Sequence, residues 1–268
     1  MKAKVHSMEG TAAAEAQMPR QFEEEYRPDL IRRAFHAERS LLWQPKGAMK
    51  GAGIDYTTAK YYGRRHLARS GINIGKARLP KEKIPGGGMG RTLVVPNATK
   101  GRRAHPPKPY KTIIERINYK EKNKAIRSAI AATCDAKLAK ARGHLFDCAL
   151  PLVADNSFEG VKRVKDVVGV LEKMGLTQDL ERARNGRKQR SGRARLRKGG
   201  YRQPSSVLIV YGKDSGLWRA ARNIPGVNCA DVKDLTIELL APGGEAGRLT
   251  VWTQDALAAL DKQGLYYA

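Results

Sequence analysis

The sequence predicts an α/β fold: a mostly parallel sheet flanked by helices on both faces, with a long basic extended loop. Three observations carry this reading. Short apolar runs alternate with amphipathic helical stretches along most of the chain, the pattern of strands joined by crossover helices. One run, Val207-Leu208-Ile209-Val210-Tyr211, is apolar without a break, as in a strand buried on both sides. Residues 44–111 show neither period and carry eleven Gly and seven Pro, including Gly86-Gly87-Gly88 and Pro106-Pro107.

Taken in order, residues 2–6 form a short strand. Pro28 and Asp29 open a helix running to about residue 43, with Leu30, Ile31, Ala34, Leu41 and Leu42 as its apolar side chains; proline in the first turn beside an acid is a favourable start. Residues 120–142 read as one long helix with Ile126, Ile130, Thr133 and Leu138 along a face. A strand over 145–153 follows. Asp155, Asn156 and Ser157 then cap a helix whose face is Val161, Val164, Val168 and Leu171 and which ends near Gly175. After the buried run at 207–211 come a helix at 217–223, a strand at 227–232 and a short helical turn at 237–240. A strand at 249–252 and a helix at 256–262, capped by Thr253, complete the domain.

Charge is distributed unevenly. The 268 residues hold 51 Lys+Arg and 26 Asp+Glu, a net +25. Residues 44–111 contribute sixteen basic and two acidic residues, a net +14, and residues 182–202 ten basic and none acidic, a net +10. The remainder is nearly neutral at +1. The domain reading is therefore 1–43 with 112–268 as the globular body, 44–111 as a Gly/Pro-rich basic insertion, and 182–202 as a second basic loop. Ordering the insertion costs roughly 1–2 kcal/mol per residue in backbone entropy, more than its sparse apolar side chains offset. It is expected to be disordered alone and to fold against a polyanion.

A net +25 directs attention to nucleic acid or an anionic surface. No run of eighteen apolar residues exists, and the first ten residues lack the apolar core of a secretory signal, which predicts a cytoplasmic protein with no membrane partner. Cys134, Cys148 and Cys229 are isolated and form no C-x-x-C pair, so they are expected to be small buried residues rather than metal ligands. No phosphate-binding P-loop occurs, and Gly86–Gly90 neither spells G-x-G-x-x-G nor follows a predicted strand. No enzyme activity, cofactor, metal or small-molecule substrate is expected.

The candidate RNA-binding residues of the insertion are Lys46, Lys50, Lys60, Tyr61, Tyr62, Arg64, Arg65, His66, Arg69, Lys76, Arg78, Lys81, Arg91, Lys100, Arg102, Arg103, His105 and Lys108. Those of the second loop are Arg187, Lys188, Arg190, Arg193, Arg195, Arg197, Lys198 and Arg202. Lys and Arg release condensed counterions from phosphates, which gives affinity without reading sequence. Gly186 and Gly192 let the backbone of the arginine-rich run approach closely. Tyr56, Tyr61 and Tyr62 lie among these cations and either stack on exposed bases or pack on one another.

Five segments carry a family resemblance. They are Lys100-Gly101-Arg102-Arg103-Ala104-His105-Pro106-Pro107-Lys108; Ile126-Arg127-Ser128-Ala129-Ile130-Ala131-Ala132-Thr133; Arg202-Gln203-Pro204-Ser205-Ser206; Ala220-Ala221-Arg222-Asn223; and Ala241-Pro242-Gly243-Gly244 leading to Gly247-Arg248-Leu249-Thr250-Val251. In this order, and over nearly the whole chain, the sequence resembles the large-subunit ribosomal protein "L four" family in its archaeal and eukaryotic branch. The lack of a basic extension after Ala268 resembles the archaeal members.

The resemblance implies a globular domain on the subunit surface and a loop penetrating the large-subunit (23S-type) rRNA to the wall of the polypeptide exit tunnel. It also implies early binding during assembly, with neighbouring large-subunit proteins as further partners. One motif departs from the family: in place of its Gly-x-Gly-Arg run near the loop tip stands Tyr61-Tyr62-Gly63-Arg64-Arg65-His66-Leu67. The rival from another class is an RNA-modifying enzyme with a cofactor in the α/β core. It needs a Gly-rich turn after the first strand, where the chain reads His6-Ser7-Met8-Glu9-Gly10-Thr11.

Overall fold

A computed structural model describes residues 1–55, 71–86 and 88–267. The chain divides into two units: Met1–Leu42 with Ile114–Ala268, and Trp43–Ile113.

In the first unit, β1 (Lys2–His6) turns back through Ser7 and Gly10 into β2 (Ala12–Gln17), and α1 (Pro28–Leu41) follows. Within the second unit, β3 (Lys81–Lys83) and β4 (Met89–Thr92) form an antiparallel hairpin. Back in the first unit come α2 (Tyr119–Ala132), α3 (Ala136–Ala141), β5 (Leu152–Ala154), α4 (Val164–Lys173) and α5 (Thr177–Asn185). The two-residue strands β6 (Lys188–Gln189) and β7 (Tyr201–Arg202) pair with each other. Then follow β8 (Leu208–Tyr211), α6 (Leu217–Ala221), β9 (Asn228–Asp231), α7 (Ile237–Leu240), β10 (Thr250–Thr253) and α8 (Gln254–Lys262).

Among the described residues the main sheet has the order β2-β1-β5-β10-β8-β9; only β2 is antiparallel to its neighbour. Side chains alternate across it. Val153, Leu208, Val210 and Trp252 pack with α1, α2, α7 and α8 on one face. Leu152, Ile209, Tyr211 and Val251 pack with α4 and α6 on the other. Burying each such aliphatic side chain stabilises the fold by about 1.5–3 kcal/mol, so the unbroken run at 207–211 commits β8 to the sheet interior.

Several expectations are corrected. The helix expected over 120–142 is two helices. Asp135 breaks it, adopting extended backbone and accepting a hydrogen bond from Lys137 N as the N-cap of α3. The strand expected over 145–153 shrinks to β5; Pro151 has no N–H to offer a ladder, and Leu145 N donates to Asp179 instead. Asp155 caps a 3-10 turn over Asn156–Gly160, not α4, whose buried face is Val167, Val170 and Leu171, with Val164 exposed. Leu41 and Leu42, expected to be core residues of α1, are exposed. The hairpin β2 and the helix α5 were not expected, and α5 places Arg182 and Arg184 in its last turn rather than in a loop. Residues 44–111 were expected to be structureless; β3 and β4 correct that, and Leu93 just beyond them is fully buried.

Where the chain leaves the first unit and returns, its ends are tied. Glu115 N donates to Ser40 Oγ at 2.9 Å, and Ser40 Oγ donates to Ala37 O. Tyr266 Oη donates to Val232 O, and Gln21 Nε2 to Leu260 O and Leu265 O, so the C-terminal segment is fastened as well.

Candidate nucleic-acid interface

In the second unit, two clefts gather six of the predicted residues, while Lys100 among others lines neither. One, of about 670 Å³, is lined by Lys46, Arg103, His105, Lys108 and Lys111 with Pro106, Pro107, Tyr110 and Ile113. The other, of about 420 Å³, is lined by Lys50, Arg102 and Arg103 with Met49, Ile54, Pro106 and Pro107. Lys108 Nζ lies 5.5 Å from the Tyr110 ring centroid. The proline pair is a rigid wall common to both, because its φ angles are fixed by the rings.

Two glycines shape the backbone here. Gly53 has φ +76°, and a Cβ on it would lie 2.5 Å from the carbonyl of Gly101; one on Gly101 would lie 2.0 Å from Val95 O. Arg102 N donates to Val94 O and Gly101 N to Ala98 O, so the 94–102 turn presents Arg102 and Arg103 from a bonded frame. Replacing Gly53 by Ala imposes a left-handed penalty of about 1–2 kcal/mol as well as the close contact. The expected result is amide exchange at Gly101 and Arg102 about tenfold faster or more, with the unfolding of the first unit unchanged. Unaltered exchange at those two amides would show that the packing does not hold the turn.

Lys46, Lys50, Lys76, Arg78, Arg91, Lys100, Arg102, Arg103, His105 and Lys108 are exposed. Arg91 is paired with Glu82 at 3.3 Å and is outside both clefts, as are Lys76 and Arg78. Lys81 is the exception: it is 7% exposed, and its ammonium donates to Thr92 Oγ1 across the hairpin. Its place at the start of β3 turns it inward, and the expectation of a surface role is corrected. Lys60, Tyr61, Tyr62, Arg64, Arg65, His66 and Arg69, with Tyr56 and the Tyr61–Leu67 motif, lie outside the described residues.

In the first unit, the arginine-rich segment connects α5 to β8. The short ladder of β6 and β7 pairs Lys188 with Arg202 and Gln189 with Tyr201, and it carries the 190–200 excursion. Residues Gln203, Pro204 and Ser205 form a ridge bordering two further clefts. One, of about 600 Å³, brings Lys188 and Arg202 together with Arg142, His144 and Arg182. The other, of about 420 Å³, brings Arg187 together with Arg222, Asn223 and Asn228. Arg187, Lys188, Arg190, Arg193, Arg195, Arg197 and Arg202 are all exposed, and Arg187 lies over the Tyr201 ring at 4.3 Å. Of Lys198 the structure describes only the backbone. The 190–197 arginines line neither cleft.

Beneath the ridge lie two buried charges. Asp179 has no exposed surface; it accepts from Leu145 N (3.1 Å), Arg182 Nε (3.0 Å) and Ser206 Oγ (2.5 Å) and meets His144 Nδ1 at 3.1 Å. Burial pushes its pKa up, but the bonds from His144, Arg182 and Ser206 outweigh that and hold it below the usual carboxylate range. Although Ser, His and Asp meet here, Ser206 donates to the carboxylate rather than to the imidazole, so the group is a structural clamp and not a nucleophilic relay. Arg248, 1% exposed, donates to Ser206 O, Leu239 O, Gly226 O and Asn228 Oδ1, and burial lowers its pKa to about 10.

The charge pattern alone did not reveal Arg142, Arg222, Asn223 and Asn228 as cleft residues. Arg222 and Asn223 were legible only as part of a family segment. Cys134, Cys148 and Cys229 are free and half-buried rather than fully buried; burial lifts the thiols of Cys134 and Cys229 to about 11 and 12, so both stay protonated at neutral pH. Among the described residues no group of three or more His, Cys, Asp or Glu is placed to hold a metal ion, and no helix is long and apolar enough to cross a membrane.

Exposed cationic side chains lining open clefts, on an α/β body with a basic Gly/Pro-rich second unit, have the chemistry to meet a polyanion. Residues 16–263 match the profile described as the ribosomal protein L4/L1 family. The large ribosomal subunit protein uL4 of Methanocaldococcus jannaschii is 47% identical over 264 residues, which is 98% of this chain and 99% of the relative. Its counterparts are similar at 45% over 260 residues in Archaeoglobus fulgidus (97% and 98% covered) and 46% over 263 in Methanoculleus marisnigri (98% and 99%). The chain belongs to the ribosomal protein L4/L1 family.

Proposed function

We propose that the chain is a structural component of the large ribosomal subunit that binds large-subunit rRNA directly and acts in the cytoplasm within the ribosome. The observation that carries the reading is the placing of exposed cations around clefts in both units, with almost all of the +25 charge confined to two segments. Residues 44–111 enter the RNA as a basic insertion, their charge neutralised by the phosphates, and reach the exit-tunnel wall. The 187–202 loop holds the body to the RNA surface. Early binding during assembly follows from the counterion release that such a cation density provides. Neighbouring large-subunit proteins complete the partners; no cofactor, small-molecule substrate or membrane has a part.

The rival, an RNA-modifying enzyme, needs a crevice at the carboxyl ends of the strands where their order reverses, here around β5, β10 and β8. That place is filled. Glu159, 4% exposed, accepts from Gly212 N at 2.8 Å, Lys213 N at 3.2 Å and Thr253 Oγ1 at 2.6 Å. A Cβ on Gly212 would lie 2.7 Å from the Asp255 carbonyl carbon, so the start of α8 closes over the strand end.

Sedimentation of the tagged protein on a sucrose gradient, before and after a high-salt wash, tests the proposal. The expected result is about one copy per large subunit that survives the wash, because a threaded loop is not released by screening alone. Migration to the top of the gradient would sink it.

A further inference from the structure

We propose that the groove between the end of α6 and the start of β9 is a binding site for a single unpaired nucleotide of RNA. This rests on the reading of the chain as an rRNA-binding protein and adds a ligand class to one surface.

The groove combines two kinds of group. The first is a set of side-chain amides, Gln203, Asn223 and Asn228, which suit base edges rather than bulk phosphate. The orientation of Asn228 is fixed from below. Arg248 Nη2 donates to its Oδ1 at 2.6 Å, and a guanidinium has only donors, so the amide oxygen must face inward. The two N–H groups of Asn228 Nδ2 are thereby turned to the groove as donors. Arg248 is buried under the groove floor, where it also donates to Gly226 O, and among the described residues it forms no ion pair with a carboxylate. Its charge lies beneath the same floor, offset in part by the buried Asp179 carboxylate.

The second kind is a pair of guanidinium planes held on aromatic rings. Arg187 lies over Tyr201 at 4.3 Å, and Arg222 over Trp218 at 4.6 Å, with Trp218 itself 39% exposed. Each ring covers one face of its guanidinium and leaves the other face for a base to stack on. A loose cationic patch that only screens phosphates needs neither an oriented amide nor stacked arginines. A paired A-form stem hides its base faces and most base edges, whereas an extruded nucleotide presents both. The occupant is thus an unpaired residue, with base edge toward the amides, base face on a guanidinium and phosphate at the arginine N–H groups.

The experiment uses the full-length chain and five labelled RNA hairpins. One is a fully paired stem; the others carry a single bulged A, C, G or U at one place in that stem. Affinities are read by fluorescence anisotropy at fixed salt. The wild type is expected to bind at least one bulged hairpin about tenfold more tightly than the stem. Asn228→Asp keeps an oxygen on Arg248 but replaces the outward donor by an acceptor; it is expected to bring that ratio near one while binding to the stem changes far less. Arg222→Gln, at an exposed position, is expected to lower the same ratio through a different contact. Equal wild-type binding to all five hairpins overturns the proposal and leaves the rRNA-binding reading standing. A bulge preference that survives both substitutions, or equal loss on stem and bulge, overturns it too. Binding to none of the hairpins removes the rRNA-binding reading itself, and this site with it.

Discussion

Replacing residues 43–113 by a short Gly-Ser bridge is expected to leave a folded α/β protein that no longer enters large subunits. The first unit keeps both faces of its sheet, since the two core clusters draw on residues outside the excised segment. Its cut ends are already held together by the Glu115 N to Ser40 Oγ bond, so the bridge spans a short gap. The segment removed carries +14 of the +25 net charge. Affinity for rRNA is expected to fall on the order of a hundredfold or more, as each lost phosphate contact removes its share of counterion release. Circular dichroism and a cooperative thermal transition would report the fold, and gradient sedimentation the loss of incorporation. An unfolded product would mean that the second unit is part of the core; retained incorporation would mean that the body alone carries binding.

The second large effect concerns stability. Asp179→Ala is expected to destabilise the first unit by about 3–5 kcal/mol, because it strands the Arg182 charge, the Ser206 hydroxyl and Leu145 N beside a buried void. For a body of this size that corresponds to a fall in Tm of roughly 10 °C. The effect has a pH signature. The folded-state pKa of Asp179 is depressed, so its contribution is fully present above its unfolded value of about 3.9 and is lost as pH falls through the folded value. Urea denaturation between pH 5 and pH 3 should therefore show a steeper decline for the wild type than for Asp179→Asn. Parallel declines would show that the carboxylate is not what acid attacks.

Legibility from sequence depended on which force placed each element. Hydrophobic burial wrote the clearest signals: the 207–211 run is β8 and its flanks, and the Pro28-Asp29 start of α1 and the Thr253 cap of α8 fall where the local chemistry put them. Elements set by tertiary context were illegible. The strand β2 reads Ala-Ala-Ala-Glu-Ala-Gln, which favours a helix, and becomes a strand because β1 offers it an edge. The helix α5 was obscured by its own arginines: Arg182 and Arg184 read as the opening of a basic loop, although Asp179 and Ala183 bury its inner face. Within the site, charge identified the segments but not their geometry. Nothing local distinguishes Lys81, turned inward by its hairpin, from Lys76; nor does Asn228 advertise the buried arginine that orients it.

The strand order has a consequence for the timing of folding. The centre of the sheet, β10, lies between β5 and β8 and is the last of the described strands in chain order. Synthesis runs from the amino end, so β1, β5, β8 and β9 are all made before the strand that must lie among them. Until Val251 and Trp252 have been made and have emerged, β5 and β8 lack the strand that joins them, although the net charge is already near its final value. Edges left unpaired invite mispairing, and loop closure across some hundred residues (β5 to β10) is slow. The basic segments, by contrast, are complete well before the body can close. The charge of this protein therefore precedes its fold in time, and its newly made chains are most vulnerable in the interval between the two.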